Sequence, residues 1–260
     1  MISIITVCRN AGKDIRKTIE SVLSQSCNDF EYIIKDGQSS DNTLEIVGQY
    51  VNKFNEKEVR YHFISKVDKG IYSAMNQAVE ECTGDWIIYM NAGDSFYGTD
   101  AIEKIVNQLS NVSDEVKAVV GKTNYVLHMG MHYVGTPRAN GIDDLDFCHQ
   151  SVLVRKDYMM AHPFDEMYKI VADRDQLLEI INTYGAQAIE LFEVIISNYN
   201  TRGASQNDFK STEAEAELLY QKYKINHKKK NQHIAALKNI VAKLCPVLPD
   251  LMLVLKKSLK

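Results

Sequence analysis

Ile4-Ile5-Thr6-Val7-Cys8-Arg9-Asn10 and, about 25 residues on, Tyr32-Ile33-Ile34-Lys35-Asp36-Gly37-Gln38-Ser39-Ser40-Asp41-Asn42-Thr43 are the two stretches that decide the fold. Each is an apolar run that stops abruptly at small and polar residues. A parallel strand buried on both faces reads as such a run, and its carboxyl end opens onto the binding crevice of an α/β sheet. Two such loops side by side predict a nucleotide pocket.

Outward from these strands, the pattern alternates. Residues 2–8 read as a strand and 13–25 as an amphipathic helix, with Ile15, Ile19, Val22 and Leu23 at helical spacing. A second strand covers 31–35. A helix then starts near Asn42, with Glu45 placed as in a capping box and Leu44, Val47, Val51 and Phe54 on one face. A strand at 59–64, a helix at 71–82 closed by Gly84, a strand at 86–90, a helix at 100–109 and a strand at 117–121 follow. Further on, a strand at 151–155, a helix at 173–183 and a strand near 188–195 are weaker signals. Strand and helix alternating over short connections call for a mostly parallel sheet with helices on both faces. After Arg202-Gly203-Ala204-Ser205 the chain becomes Lys-rich and helical, which places a boundary near residue 206 and divides the chain into 1–205 and a tail, 206–260.

The 260 residues are 45% apolar, enough for a packed core, and carry a net charge of -4, which argues against a surface built to hold nucleic acid. That charge is uneven. From Gln221 to Lys260 there are ten Lys and one acid, Asp250, so this segment is +9 and residues 1–220 are left with -13. Cys8, Cys27, Cys82, Cys148 and Cys245 form no C-x-x-C pair and read as reduced thiols of a cytosolic protein. No leader-like segment and no membrane-spanning run is expected.

Several polar stretches carry chemistry, each with a structural alternative. Asp36 ends a buried run and precedes Gly37: its carboxylate suits a base N–H or a ribose hydroxyl, or else caps an Asx-turn. Asp68-Lys69-Gly70-Ile71-Tyr72-Ser73-Ala74-Met75-Asn76 sets a glycine loop at a helix amino terminus, where free N–H groups and the dipole favour a diphosphate, though many helices begin this way. Trp86-Ile87-Ile88-Tyr89-Met90 ends in Asn91-Ala92-Gly93-Asp94, whose oxygens suit a hard divalent cation or simply a turn. In Asp173-Arg174-Asp175, opening a helix, one acid can serve as a general base, or both can complement the dipole. His149, next to Gln150, lacks partners at zinc-ligand spacing, and a zinc site is not expected.

Taken in order, these stretches resemble the family 2 glycosyltransferases with the GT-A fold, a Rossmann-like α/β architecture. The matching pieces are Ile4 to Asn10, Ile19-Glu20-Ser21-Val22-Leu23-Ser24-Gln25-Ser26, Ile34 to Thr43, Asp68 to Asn76, Thr83-Gly84-Asp85, Asn91 to Asp94, His149-Gln150 and Asp173 to Leu177. The resemblance implies a nucleotide-sugar donor, a UDP-sugar by expectation, and inverting transfer to a saccharide hydroxyl. It implies donor contacts at Thr6, Cys8, Asn10 and Asp36, at Asp68, Lys69, Gly70 and Asn76, and at Asn91 and Ala92. It also implies Mn²⁺ or Mg²⁺ at Asp94, acceptor or phosphate contacts at His149, Gln150 and Arg202, and Asp173 as the base, with Asp175 in reserve. The family's Asp-x-Asp metal motif reads Asn-Ala-Gly-Asp here, leaving Asp94 its sole carboxylate, and the acid usually before the base is Ala172.

By the same analogy the acceptor is lipid-linked, in surface polysaccharide assembly. The rival is a catalytically inactive nucleotide-binding scaffold subunit, motivated by the missing acid. The tail places Ile234, Leu237, Val241 and Leu244 on one helical face among lysines, and Leu251 to Leu255 follows. That pattern predicts a helix on a membrane surface, peripheral on the inner face of the cell membrane, or else a helix packed on the catalytic domain with a solvated Lys face, a docking that the -13 of residues 1–220 favours.

Overall fold

The computed structural model describes residues 1–126, 131–200 and 209–225. The central sheet runs in the order β3-β2-β1-β4-β10-β6-β11-β5, with β7 paired to β6. Its first half is β1 (Ile2–Cys8), β2 (Phe30–Asp36), β3 (Tyr61–Ser65) and β4 (Trp86–Tyr89), all parallel, as the apolar runs require. The second half is mixed. β10 (Val152–Arg155) is antiparallel to both β4 and β6 (Ala118–Val126), while β11 (Ile189–Asn200) lies parallel to β6. The expectation of a mostly parallel sheet therefore holds for one half only, because β10 returns between β4 and β6 through short strands instead of a crossover helix. The short strands β7 (His132–Gly135) and the β8–β9 hairpin (Arg138–Gly141, Asp144–Asp146) go unread in the sequence, as do β5 (Ser95–Phe96) and the helix α6 (Lys156–Ala161).

Alternation along the strands divides two apolar layers. Ile5, Ile33 and Ile87 face one layer, shared with α4 (Ile71–Val79), α6 and α7 (Ala172–Tyr184). Ile4, Tyr32 and Ile88 face the other, shared with α1 (Ile15–Leu23), α2 (Thr43–Gly48), α3 (Val51–Glu56) and α5 (Ala101–Leu109). The single helix expected from Asn42 is two short ones. The turn between them tightens, with Gln49 N–H on Ile46 O and Tyr50 N–H on Val47 O, next to Gly48. The capping box does not form: Asn42 makes no side-chain cap, and Asp41 Oδ1 accepts the Thr43 N–H at 3.0 Å instead. The buried face is Ile46, Val47, Tyr50 and Phe54.

The segment beyond residue 206 is not wholly separate. Helix α8 (Phe209–Lys222) seats a fully buried Leu219 in the first layer, and Tyr223 and Ile225 pack beside it. The expected amphipathic piece from Ile234 to Leu244, the piece Leu251 to Leu255, and Arg202 lie outside the described residues. No helix among the described residues is long and apolar enough to cross a membrane.

At the amino ends of the parallel strands, Glu31 is 1% exposed. Its carboxylate accepts from Ser3 Oγ at 2.6 Å, from the Thr83 N–H, from Thr83 Oγ1 at 2.9 Å and from the Gly84 N–H at 3.1 Å, and it pairs with Arg60. A side chain at Gly84 would sit 2.8 Å from Ser3 N and 2.9 Å from Met1 O, so only glycine lets this loop lie against β1. Burial alone would raise the Glu31 carboxyl, but these hydrogen bonds outweigh it and hold it below its ordinary 4.5. Stability from that depressed value is present above pH 4.5 and is lost as pH falls through the lower folded value. Glu31→Gln should therefore cost about 3 kcal/mol near pH 7, from broken buried hydrogen bonds and ion pairing. Urea unfolding should show the variant losing less stability than the parent between pH 5 and pH 3. Parallel pH profiles would contradict this account.

Candidate active site

The carboxyl ends of β1 and β4, the start of α4, the turn before β10 and the start of α7 enclose a cleft of about 970 Å³. Cys8, Asn10, Asp68, Lys69, Gly70, Asn91, Ala92, Asp94, His149, Gln150 and Asp173 all line it, so most of the expected site residues are brought together. Asn10 holds φ 52, a left-handed conformation that asparagine tolerates. Its Oδ1 accepts the Ser40 N–H at 2.9 Å and its own N–H reaches Ser39 Oγ at 2.7 Å, joining the two loops of the opening motif. Burial first, then the neighbouring Asp36, pushes the Cys8 thiol up to about 12, so it lines the cleft as a neutral wall. Gly70, at φ 138, caps α4 where a side chain would be strained. Asp68 Oδ1 accepts the Gly70 N–H at 3.2 Å, and Asp68 Oδ2 accepts from the fully buried Lys35 Nζ at 2.8 Å.

Four expected site residues take other work. Thr6 is fully buried, its hydroxyl 2.6 Å from Met90 O and 2.8 Å from Tyr32 Oη, because period-two alternation turns it into the layer of Ile4. Asp36 is fully buried beneath the cleft, accepting from Ser65 Oγ at 2.7 Å, from Ser39 N–H at 2.9 Å and from Ser39 Oγ. It shapes the 37–41 loop, in the manner of the Asx-turn alternative. Asn76 points away, fixing Phe164 by Nδ2 to its carbonyl and Oδ1 from its N–H, both 2.9 Å. Asp175 is 5% exposed and receives Lys222 Nζ on both oxygens at 2.8 Å and Tyr223 Oη at 2.8 Å. A carboxylate so saturated on the far side of α7 is no reserve base.

Asp173 faces the cleft with its side chain 20% exposed. Its Oδ2 lies 3.4 Å from His149 Nδ1, and its Oδ1 accepts from Arg174 N–H at 2.8 Å and from Tyr72 Oη at 3.1 Å. Burial would raise this carboxyl, yet the hydrogen bond and charge of His149, with the Arg174 N–H and Tyr72, outweigh it and hold it below 3.8. Asp173 is therefore ionised at neutral pH, as a general base must be. Burial, reinforced by Asp173, pushes the Tyr72 phenol well up, so it stays a donor.

Across the cleft, Thr18 of α1 builds the Asn91–Asp94 turn: Oγ1 accepts the Gly93 N–H at 2.9 Å and donates toward Asp94 O at 2.7 Å and Asn91 O at 3.2 Å. Gly93 takes φ 98. Asp94 Oδ2 accepts from Gln150 Nε2 at 2.9 Å. One 3-10 turn, His149–Ser151, thus holds both carboxylates, Asp173 through His149 and Asp94 through Gln150, and the His149 ring stacks on Tyr89 at 5.3 Å. Asn91 Oδ1 is buried without a hydrogen-bond partner among the described residues. Two hard oxygens from Asp94 and Asn91 fit a divalent ion that completes its shell with diphosphate and water. No group of three or more His, Cys, Asp or Glu among the described residues forms an all-protein cage. Arg9 and Tyr72, which lie within the matching stretches without an expected role there, also line the cleft, as do Asp14 and Lys169, which no motif contains.

This architecture has relatives. A "PGL/p-HBAD biosynthesis glycosyltransferase" of Mycobacterium bovis is 27% identical over 219 residues, 80% of this chain and 79% of that protein. Among solved structures, the Pyrobaculum calidifontis mannosyltransferase PcManGT, in complex with GDP-Man and Mn²⁺, superposes with TM-score 0.66 at 14% identity, over 87% of this chain and 65% of that one. S. aureus TarS 1–349, in complex with UDP-GlcNAc, gives 0.62 at 16% identity, and the match spans 78% of this chain but only 59% of that one. These similarities place the fold among GT-A glycosyltransferases. Residues 3–157 match the model described as "Glycosyl transferase family 2", and the chain belongs to that family of glycosyltransferases.

Proposed function

We propose that the cleft transfers a sugar, with inversion, from a UDP-sugar to a hydroxyl of a lipid-linked saccharide during surface polysaccharide assembly. The observation that carries this is the His149–Gln150 turn, which presents an ionised Asp173 and the Asp94 carboxylate to one cleft. The acceptor O–H gives its proton to Asp173 as its oxygen attacks the anomeric carbon, and the bond from that carbon to the diphosphate breaks. The cations Arg9, Lys69 and Lys169 and the amino end of α4 supply positive potential to the departing diphosphate. Mn²⁺ or Mg²⁺ at Asp94 and Asn91 would add Lewis-acid stabilisation of the same group. UDP-GlcNAc in TarS and GDP-Man with Mn²⁺ in PcManGT support a nucleotide sugar and a divalent ion here. Membrane attachment, peripheral on the inner face, is supported by the +9 charge from Gln221 to Lys260.

A thermal-shift panel of UDP- and GDP-sugars with and without Mn²⁺ tests the donor, since a ligand at 100 times its Kd adds about 2.7 kcal/mol of stability. An inactive scaffold would release no UDP. Asp173→Asn should retain the donor shift while UDP release falls about 10²-fold or more, the loss expected for a general base. Unchanged turnover would move the base elsewhere. Asp94→Ala should abolish the Mn²⁺-dependent part of the shift, and a variant that still responds to Mn²⁺ would place the ion at another site. Truncation after Ile225 keeps the packed α8 and should lose sedimentation with anionic liposomes while keeping nucleotide binding, given about 1 kcal/mol per Lys near an anionic surface. Unaltered sedimentation of the truncated chain would refute the membrane role of the tail.

A further inference from the structure

The chain that delivers Asp173 has no cap of its own. Val171 stands at the N-cap of α7 without a side-chain cap, and the N–H groups of residues 169–171, which lead into the helix, take their acceptors from outside it. They find one in α8. Glu215 accepts the Lys169 N–H on Oε1 at 2.9 Å, and the Ile170 and Val171 N–H groups on Oε2 at 2.9 and 3.3 Å. A single carboxylate thereby fixes three successive peptide planes. The carbonyl of the middle residue, Ile170, is 2.7 Å from Tyr72 Oη, and that hydroxyl's one proton is shared with Asp173 Oδ1. Two helical turns along α8, Lys222 and Tyr223 take hold of Asp175 in the same first turn of α7. Helix α8 therefore grips the catalytic turn on both sides of Asp173 without entering the cleft.

From this geometry we infer that Glu215 is a positioning residue for the transfer reaction: it sets the 169–171 backbone, and through Ile170 and Tyr72 the direction of the Asp173 carboxylate. The inference rests on Asp173 being the base. A carboxylate merely gluing α8 to the body would change stability alone. A positioning residue would lower turnover in molecules that remain folded, because small displacements of a reacting group are costly.

The test uses the full chain and the nucleotide sugar with the largest shift in the panel, with release of its nucleoside diphosphate as the readout. In Glu215→Ala, kcat should fall about 10-fold or more while the donor KM stays within about 2-fold, the pattern of an interaction exerted only on the transition state. Glu215→Gln keeps one acceptor oxygen and should fall between the two. Amide exchange at residues 169–171 should quicken in the alanine variant. If Glu215→Ala does not fold, Glu215→Gln decides: reduced kcat at constant KM supports the inference, and parental kcat refutes it. Parental kcat in a folded Glu215→Ala, or a KM that rises while kcat holds, also overturns it. Failure of the base assignment looks different, since Asp173→Asn would then turn over normally whatever Glu215 does.

Discussion

One buried carboxylate governs where the strands end. Glu31 lies opposite Ser3 in the parallel register and takes up donors from β1, from Arg60 at the entry to β3 and from the Thr83-Gly84 loop that feeds β4. Four parallel strands are thereby pinned at their amino ends. Strands started level and rising by a common step per residue deliver their loops level at the other end. An unpaired charge at 1% exposure would be expensive, and this one is offset by five donor groups, so the arrangement tolerates little drift in register.

The opposite end answers with its own buried ion. Lys35 Nζ donates to the carbonyls of Asp36 and Lys66 and to Asp68, so the loop after β3 is tied down beside the loop after β2. Asp36 does the same for residues 37–41. The half of the cleft beside β1, β2 and β3 thus rests on loops tied down by buried side chains, while the other half hangs on the second, mixed part of the sheet. The His149–Ser151 turn joins the halves, and its two side chains fix how far apart the carboxylates stand.

Elements that bury both faces were legible, since β1, β2 and β4 must be continuous apolar runs wherever they pair. Asp94, Gly70 and Asp173 were legible because strand ends and helix starts are marked by turn chemistry and dipole preference. Side-chain direction was not. Thr6 is one alternation step from facing differently, and Asp36 is drawn inward by Ser65, a neighbour 29 positions away that only pairing of β2 with β3 brings near. Asp175 looks like its neighbour Asp173 until α8 covers it. Thr18 and Tyr72 sit within ordinary amphipathic helices, and their value depends on turns contributed by distant sequence. The strands β5 and β7 to β9 are too short to carry periodicity and exist through their partners.

The grip of α8 on the start of α7 has a consequence for chain synthesis. The eleven strands among the described residues lie at or before Asn200, whereas the acceptor for the Lys169, Ile170 and Val171 amides arrives with Glu215. A nascent chain extended to residue 200 carries all the described strands and every described residue that lines the cleft, but lacks the carboxylate that holds the backbone leading to Asp173. Helix α8 supplies that contact only after the described strands are synthesised, and it brings Leu219 into the first apolar layer at the same time.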